Sequence, residues 1–424
     1  IKEGINVLTV DPDHLDKYIN DCKVLGIHVM DPFGFGPASS TFATVLKKEP
    51  FLAKHFRLLM EKPAIRKAKK RGVKIIVGGS GVWQFLYRPD FVKKYGIDCI
   101  IDGEAEKVIG KIVRAALNGE DLPRYYKVSP EEVPSVNEIP EIVAPSICGL
   151  VEIGRGCPRK CKFCSVTLRP LRWYPYEKIM REISVNVESG YTSGACLHAE
   201  DVMLYGSSNT IPKDKKLIKL HEMVVKKCEG IGWSHCSLSA VAAKPKLFET
   251  IAEIIKQKQS WWGAEVGIET GSPRLAKKIM PAKAHPFKAE EWPEVVRAGM
   301  GLMHDNGLVP ACTLIVGVPG ETEDDIIKTI ELVEDLKDIK SLIVPLYFVP
   351  MGRLKDEDWF KLEKPSGVYL ELLVKCLRHD IRWIYSLIND AFRDRWYKPF
   401  LGLLYKFFVK AIEYKCQKAG ISIR

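Results

Sequence analysis

Cys157-Pro158-Arg159-Lys160-Cys161-Lys162-Phe163-Cys164 spaces three of the chain's twelve cysteines as C-x3-C-x2-C. A zinc site would ordinarily add a second cysteine pair or a Cys/His set at recognisable spacing, and none follows. Three closely spaced thiolates suit three irons of a [4Fe–4S] cube and leave the fourth iron open to another ligand. Gly154 and Gly156 before the stretch, and Pro158 within it, fit a loop that wraps a cluster. The other nine cysteines are scattered through strand-like and helix-like patterns, where cysteine behaves as a small buried hydrophobe. A disulfide framework belongs to short secreted chains, not to one of 424 residues.

Working outward, the cysteine stretch directly follows the first of six strand candidates, at 148–153, 195–205, 233–239, 262–269, 309–316 and 341–348. Helical patterns fall between them at 177–189, 213–227, 246–255, 292–306 and 323–336. Six strands with crossover helices predict a partial (β/α)6 barrel of the TIM type, with chemistry at the carboxyl ends of its strands. Upstream, apolar runs at 24–30, 73–77 and 99–101 each break at a glycine-containing loop and lead into helical stretches. That order predicts a doubly wound, Rossmann-like sheet. The fold class is therefore α/β: a Rossmann-like domain over 1–120, a Pro-rich charged linker over 121–146, the barrel over 147–352, and a helical region over 353–424.

At 46% hydrophobic and 28% charged, the composition is that of a globular protein able to bury a sizeable core. The net charge of +11 is too diffuse for a dedicated nucleic-acid binder. Between positions 366 and 424 eleven Lys/Arg stand against five Asp/Glu, which points to an acidic partner surface near the C-terminus. No apolar run is long enough to span a membrane. No signal peptide is visible, so a cytoplasmic location is expected; the chain opens on Ile1 rather than Met, so residues upstream are expected to be missing. His28, inside an apolar run, reads as a buried core histidine. His198, His235 and His304 read as polar loop or helix residues, and none is assigned a metal.

The cysteine spacing, with aromatic Phe163 before the third cysteine, resembles the radical S-adenosylmethionine (SAM) superfamily over about 147–352. The resemblance implies that Cys157, Cys161 and Cys164 hold the cluster, that its open iron binds SAM, and that an electron donor serves it. His198-Ala199-Glu200-Asp201 stands where that family has an acidic motif for the SAM amino group, although the family's paired glycines are absent; Glu200 and Asp201 are assigned there. Gly267-Ile268-Glu269-Thr270-Gly271-Ser272 is similar to a Gly-Ile-Glu-Ser-Gly segment that places Glu269 against the SAM ribose or amine. Gly317-Val318-Pro319-Gly320-Glu321-Thr322 matches a Gly-x-Pro-Gly-Glu-Thr loop that puts Val316 and Gly317 near the adenine and gives Glu321 a structural role.

Three N-terminal segments, Gly26-Ile27-His28-Val29-Met30-Asp31-Pro32, Val77-Gly78-Gly79-Ser80-Gly81 and Ile101-Asp102-Gly103-Glu104-Ala105-Glu106, resemble the cobalamin-binding domain of B12-dependent radical SAM enzymes. The resemblance implies that Gly78, Gly79, Ser80, Gly103 and Glu104 line the groove for the nucleotide tail. It sets Asp31, Pro32, Phe33 and Gly34 under the corrin ring. With no Asp-x-His-x-x-Gly motif, Phe33, Asp31 or water rather than histidine is expected below the cobalt. The family resemblance implies a cobalamin-dependent C-methyltransferase acting on an unactivated sp3 carbon, in which one SAM supplies a radical and a second the methyl group. The motif run and the helical tail are similar to an archaeal branch that methylates a glutamine α-carbon in a protein, methyl-coenzyme M reductase. A protein or peptide substrate is then expected, docked by Arg393, Arg395, Trp396, Tyr397, Lys398 and Lys406. Two rivals remain: a non-methylating B12 radical SAM enzyme (cyclisation, rearrangement or carbon–carbon coupling) on a small molecule or lipid, and a non-catalytic cluster- and cobalamin-binding protein.

Overall fold

Short apolar runs ending in glycine loops form four parallel strands in the first of two units, Ile1–Pro140 and Glu141–Arg424. The computed structural model describes residues 1, 3–392, 398–418 and 420–422. Strands β1 (Val24–His28), β2 (Lys74–Gly78), β3 (Cys99–Asp102) and β4 (Tyr125–Lys127) pair in that order. One face buries Ile27, Ile75, Val77 and Ile100 against Phe56, Ile65 and Phe91 of three helices. The other buries Ile76, Cys99 and Ile101 against Val108 and Ile112, at the start of helix Ile109–Leu117.

Helices thus cover both faces, but the strand order runs in one direction. The reversal that defines a doubly wound sheet does not occur among the described residues. The stretch read as a linker is partly structured. Tyr125 Oη donates to Asp102 (2.6 Å) and the Val128 N–H donates to the Asp102 carbonyl (2.9 Å), so this segment adds β4 to the sheet.

In the second unit, β5 (Leu150–Glu152) leads into a short antiparallel ribbon, β6 (Gly154–Arg155) with β7 (Arg172–Trp173). Then come β8 (Gly194–His198), β9 (Gly230–Trp233), β10 (Trp262–Glu269), β11 (Leu308–Val316) and β12 (Leu342–Tyr347). Parallel pairing gives β5-β8-β9 and β10-β11-β12. The two sets join where Glu265 N–H donates to the Ser234 carbonyl (2.8 Å) and Cys236 N–H to the Glu265 carbonyl (3.1 Å). Six parallel strands alternate with helices, and every loop after a strand emerges at one end.

The third strand lies earlier than its apolar run suggested. Two glycines mask Gly230–Trp233, whereas Leu238–Ala243 is helical. Trp233, Trp262 and Phe248 pack together between this sheet and its helices, with ring centroids 6.1–6.2 Å apart. Helix Gly367–Ala391 buries Leu372, Cys376, His379, Ile381 and Ile388, and Asp380 accepts the Ile343 N–H of β12 (2.7 Å). The C-terminal helices therefore belong to the second unit. Among the described residues no helix is long and apolar enough to cross a membrane. Of the expected docking residues, Arg393, Arg395, Trp396 and Tyr397 lie outside the described residues; Lys398 and Lys406 lie on helix Lys398–Lys418.

Candidate functional site: a cysteine loop at the carboxyl end of the barrel

The β6–β7 ribbon pins both ends of the cysteine loop, and glycine makes the turn possible. A Cβ on Gly156 (φ +84°) would fall 2.6 Å from the Pro170 carbonyl oxygen, and one on Gly154 2.3 Å from the Trp173 ring. On the other side, Lys162 N–H donates to the Ile279 carbonyl (2.9 Å) and Arg353 N–H to the Lys162 carbonyl (2.7 Å). Thr167 Oγ1 donates to the Cys164 carbonyl (2.9 Å). Cys157, Cys161 and Cys164 are all free thiols, Cys161 buried and the other two half-buried. Burial pushes the Cys157 thiol up to about 12 and the Cys161 thiol to about 11, and raises Cys164. Among the described residues no three His, Cys, Asp or Glu side chains converge as ligands of one ion. That contrasts with a zinc site, since each thiolate of a cube takes a different iron. The donor set, three free thiols on one glycine-fixed loop, fits a [4Fe–4S] cluster.

Two buried ion pairs flank the thiols. Arg159 (3% exposed) directs Nε at Asp201 (2% exposed) over 3.2 Å and NH1 at the carbonyls of Lys283 (2.9 Å) and His285 (3.1 Å). Asp201 also accepts the Ser237 backbone N–H (3.2 Å) and hydroxyl. Asp201 is thus engaged within the protein by Arg159 and Ser237. Glu269, at φ +65°, pairs with buried Lys283 and accepts the Thr313 hydroxyl (3.3 Å). Lys283 Nζ also stands 6.0 Å from the Phe163 ring centroid. Burial would lower its pKa, but the charges of Glu269 and Cys161 outweigh this and raise it. Arg159 and Lys283 are the residues that sequence reasoning missed. Arg159 lies inside the cysteine motif itself, and long-range packing brings Lys283 to it.

Glu200 differs from its neighbour. It is half-buried, meets no hydrogen-bond or ion-pair partner among the described residues, and exerts its charge on Cys164. An unpaired carboxylate beside the thiols suits an ammonium ligand. Val316 is buried, and Gly317 (φ +81°) carries the Phe360 ring where a Cβ would stand. Glu321 accepts the Gly317 N–H (2.6 Å) and so closes that loop on itself; burial lifts its carboxyl to about 7. Thr322 then caps helix Glu323–Asp335 in a capping box with Asp325. Asp325, fully buried, also accepts the Ser272 hydroxyl (2.5 Å) and the Arg274 guanidinium. One carboxylate therefore ties the loop after β10 to the loop after β11.

In the first unit the expected cobalamin residues lie at the carboxyl ends of β1, β2 and β3. Gly78 faces open space, and a Cβ on Gly79 (φ +113°) would fall 2.4 Å from the Val29 carbonyl oxygen. Ser80 and Gly103 are exposed and Glu104 is half-buried. Gly78 opens onto free space, whereas a Cβ on Gly103 (φ +129°) would fall 2.6 Å from the Val128 side chain, so the room for a nucleotide tail lies at Gly78 and exposed Ser80. Asp31 and Phe33 are both engaged within the first unit. Buried Asp31 accepts the Gly36 N–H (2.9 Å) and the Gln84 amide (2.6 Å). Phe33 packs among Phe56, Phe85 and Phe91, with centroids 4.8–6.0 Å away. Pro32 and Gly34 are buried with them. His28, expected in the core, is exposed at the end of β1, because its side chain points away from the face that buries Ile27.

Residues 151–333 match the Radical SAM superfamily model, so the chain carries a radical SAM domain. A tRNA-2-methylthio-N(6)-dimethylallyladenosine synthase of Thermotoga petrophila is 28% identical over 269 residues, covering 62% of this chain and 57% of that protein. The ribosomal protein uS12 methylthiotransferase RimO of Clostridioides difficile is 27% identical over 223 residues, covering 51% and 43%. The chain spans about half the length of these curated relatives. In structure it resembles the radical S-adenosylmethionine methyltransferase TsrM from Kitasatospora setae, solved with cobalamin and a [4Fe–4S] cluster bound. The TM-score is 0.59 at 14% identity, over 83% of this chain and 71% of that one. At this identity the likeness is one of fold. It covers more residues than the second unit holds and so extends into the first.

Proposed function

We propose that this radical SAM domain serves a cobalamin-dependent C-methyltransferase acting on an unactivated sp3 carbon. The observation that carries the reading is the fold likeness to TsrM, which covers more residues than the second unit holds and so reaches into the first. When bound, the cluster supplies the electron that cleaves SAM, and the corrinoid carries a methyl group. Cys157, Cys161 and Cys164 would hold the cluster, and Glu200 the SAM ammonium. Arg159, fixed by Asp201, and Lys283, fixed by Glu269, place positive charge beside an anionic cluster. Phe163 shields the loop from water. Val316 and Gly317 border the adenine, and the open ends of β2 and β3 take the corrinoid's tail.

The sequence relatives favour a second reading, transfer of a methylthio group. Such transfer needs a sulfur source as well as carbon activation. The first unit holds only Cys22, which donates to the Val24 carbonyl, and buried Cys99, too few thiolates for a second cube. The test is anaerobic incubation of the cluster-loaded chain with SAM, cobalamin, reductant and a peptide spanning the methylated glutamine of methyl-coenzyme M reductase. The expected outcome is one methyl group gained on carbon and two SAM consumed per product. Gain of a methylthio group, or product formed without cobalamin, would overturn the reading. Methylation of a small metabolite instead would move the substrate, not the chemistry.

A further inference from the structure

The inner wall of the barrel carries a polar site that the cofactor-binding residues above do not use. Along β8, β9 and β10, Leu197, Trp233 and Trp262 are buried on the helix side, where Trp233 Nε1 donates to His221 of helix Asp214–Lys227 (3.0 Å). Alternate residues therefore face inward. His198 ends β8, His235 follows β9, and Glu265 lies in β10, bridged to His235 in parallel register. His235 Nε2 stands 3.1 Å from the Glu265 carboxylate, whose side chain is 66% exposed. The two imidazole rings are 5.9 Å apart.

His198 lacks the pairing of its neighbour on the helix side of the same strands. His221 meets the Leu217 carbonyl (2.8 Å) through Nδ1 and Trp233 through Nε2. Among the described residues the buried Nδ1 of His198 meets no hydrogen-bond partner, whereas His235 is held by Glu265 and the Ala199 backbone. Such orphans are rare unless a ligand or ordered group completes them. There is room for one: a Cβ on Gly232, which faces inward from β9, would meet nothing within 4 Å. Opposite stand Val309 and Ala311 of β11 and Val344 of β12, all apolar.

Charge selects the occupant. Burial, reinforced by the charge of His235, lowers His198, whereas Glu265 outweighs burial and raises His235. His198 is thus biased toward the neutral imidazole and His235 toward the charged form that pairs with Glu265. An anion would meet Glu265 as well as Glu200 and Glu152, whose charges also reach His198. A cation would meet His235. A neutral group with one donor and one acceptor in a plane matches both His198 and Glu265.

We propose that His198, His235 and Glu265 anchor a neutral amide of the substrate, a carboxamide or peptide group, on the barrel's inner wall, two residues before Glu200 in the chain. This rests on the radical SAM reading, which sets the reacting carbon near the thiol loop. The test uses the cluster-loaded full chain and three probes of similar size: N-acetylglutamine N-methylamide, glutarate and 1,5-diaminopentane. Carbethoxylation of His198 by diethyl pyrocarbonate, mapped by peptide mass spectrometry, reads occupancy without any turnover. The amide should slow modification of His198 by about tenfold near saturation. Glutarate and diaminopentane should not, and Glu265→Gln should abolish the protection while iron content per chain persists. Equal protection by all three probes, protection by none, or full protection in Glu265→Gln would overturn the site. Failure to form 5′-deoxyadenosine would instead strike the proposed function, since protection is measured independently of it.

Discussion

Replacing Asp325 by alanine should cost the second unit about 3–4 kcal/mol, because five donors converge on one buried carboxylate. They are the Ser272 hydroxyl, two nitrogens of Arg274, and the backbone N–H and hydroxyl of Thr322. A hydrogen bond to a charged group contributes about 1.5–3 kcal/mol, and loss of an N-terminal cap costs about 1, but bonds sharing one acceptor do not add. Arg274 is half exposed and can turn into water, which removes the largest penalty, a stranded buried cation. An asparagine side chain would keep one acceptor oxygen, so Asp325→Asn should lose about 1–2 kcal/mol. Urea unfolding of the cluster-free chain, followed by tryptophan fluorescence, would read the shift in midpoint at constant slope. The sign with pH is also fixed. Burial alone would raise this carboxyl, yet its hydrogen bonds hold it well below the usual range. Its contribution is therefore present above the unfolded carboxylate pKa and lost as pH falls through the folded one. The gap between wild type and Asp325→Ala should narrow on acidification. A loss under about 1 kcal/mol, or a gap that ignores acid, would refute the idea that this carboxylate ties the two loops.

Three further outcomes are expected. Alanine at Cys157, Cys161 or Cys164 should each remove the cluster iron and 5′-deoxyadenosine formation, whereas alanine at Cys228 or Cys416 should leave iron per chain nearly unchanged; equal loss from all five would sink the assignment. Gly352→Ala should lower iron content, since at φ +61° its Cβ would press within 2.7 Å of the Lys162 carbonyl oxygen and 2.8 Å of that of Cys164. Full iron loading of this variant would show that the loop does not need that close approach. Burial lifts Asp380 to about 7, so its contribution is fullest below the unfolded pKa and declines as pH rises to about 7. Asp380→Asn should gain about 1–3 kcal/mol relative to wild type between pH 5 and pH 8, read by urea midpoints, and a flat difference would contradict the assignment.

Strand and helix positions in the barrel were legible wherever the apolar pattern was long. Trp262–Glu269 and Leu308–Val316 show it plainly, since alternate residues are buried under helices. Gly230–Trp233 was not legible, because glycine carries no hydropathy signal and the neighbouring helix Leu238–Ala243 is equally apolar. β4 escaped for the opposite reason: its three residues, Tyr-Tyr-Lys, lie in a charged, Pro-rich stretch and gain strand character only by pairing with β3. The packing of the Asp31–Phe33 loop was not legible, because its Gly and Pro content marks a turn without saying which way the turn folds. Gln84, far along the chain, holds Asp31 and the Phe33 N–H.

Residue type alone did not separate Glu200 from Asp201, adjacent carboxylates at one strand end. Packing does: Asp201 is spent on an arginine 42 positions upstream, and Glu200 is left unpaired. The same division recurs at the end of β10, where Glu269 is taken up by Lys283. A buried charge is tolerable only when paired, so each committed acid fixes a cation against the thiol loop. A cube held by three thiolates is itself anionic, and burying it without such cations would be costly. The thiol spacing can be read locally, and Arg159 stands inside it, but its acid partner Asp201 and the second cation, Lys283, have no local spacing to betray them. They are identifiable only by asking what a buried anionic cluster requires and which distant side chains the fold delivers to it.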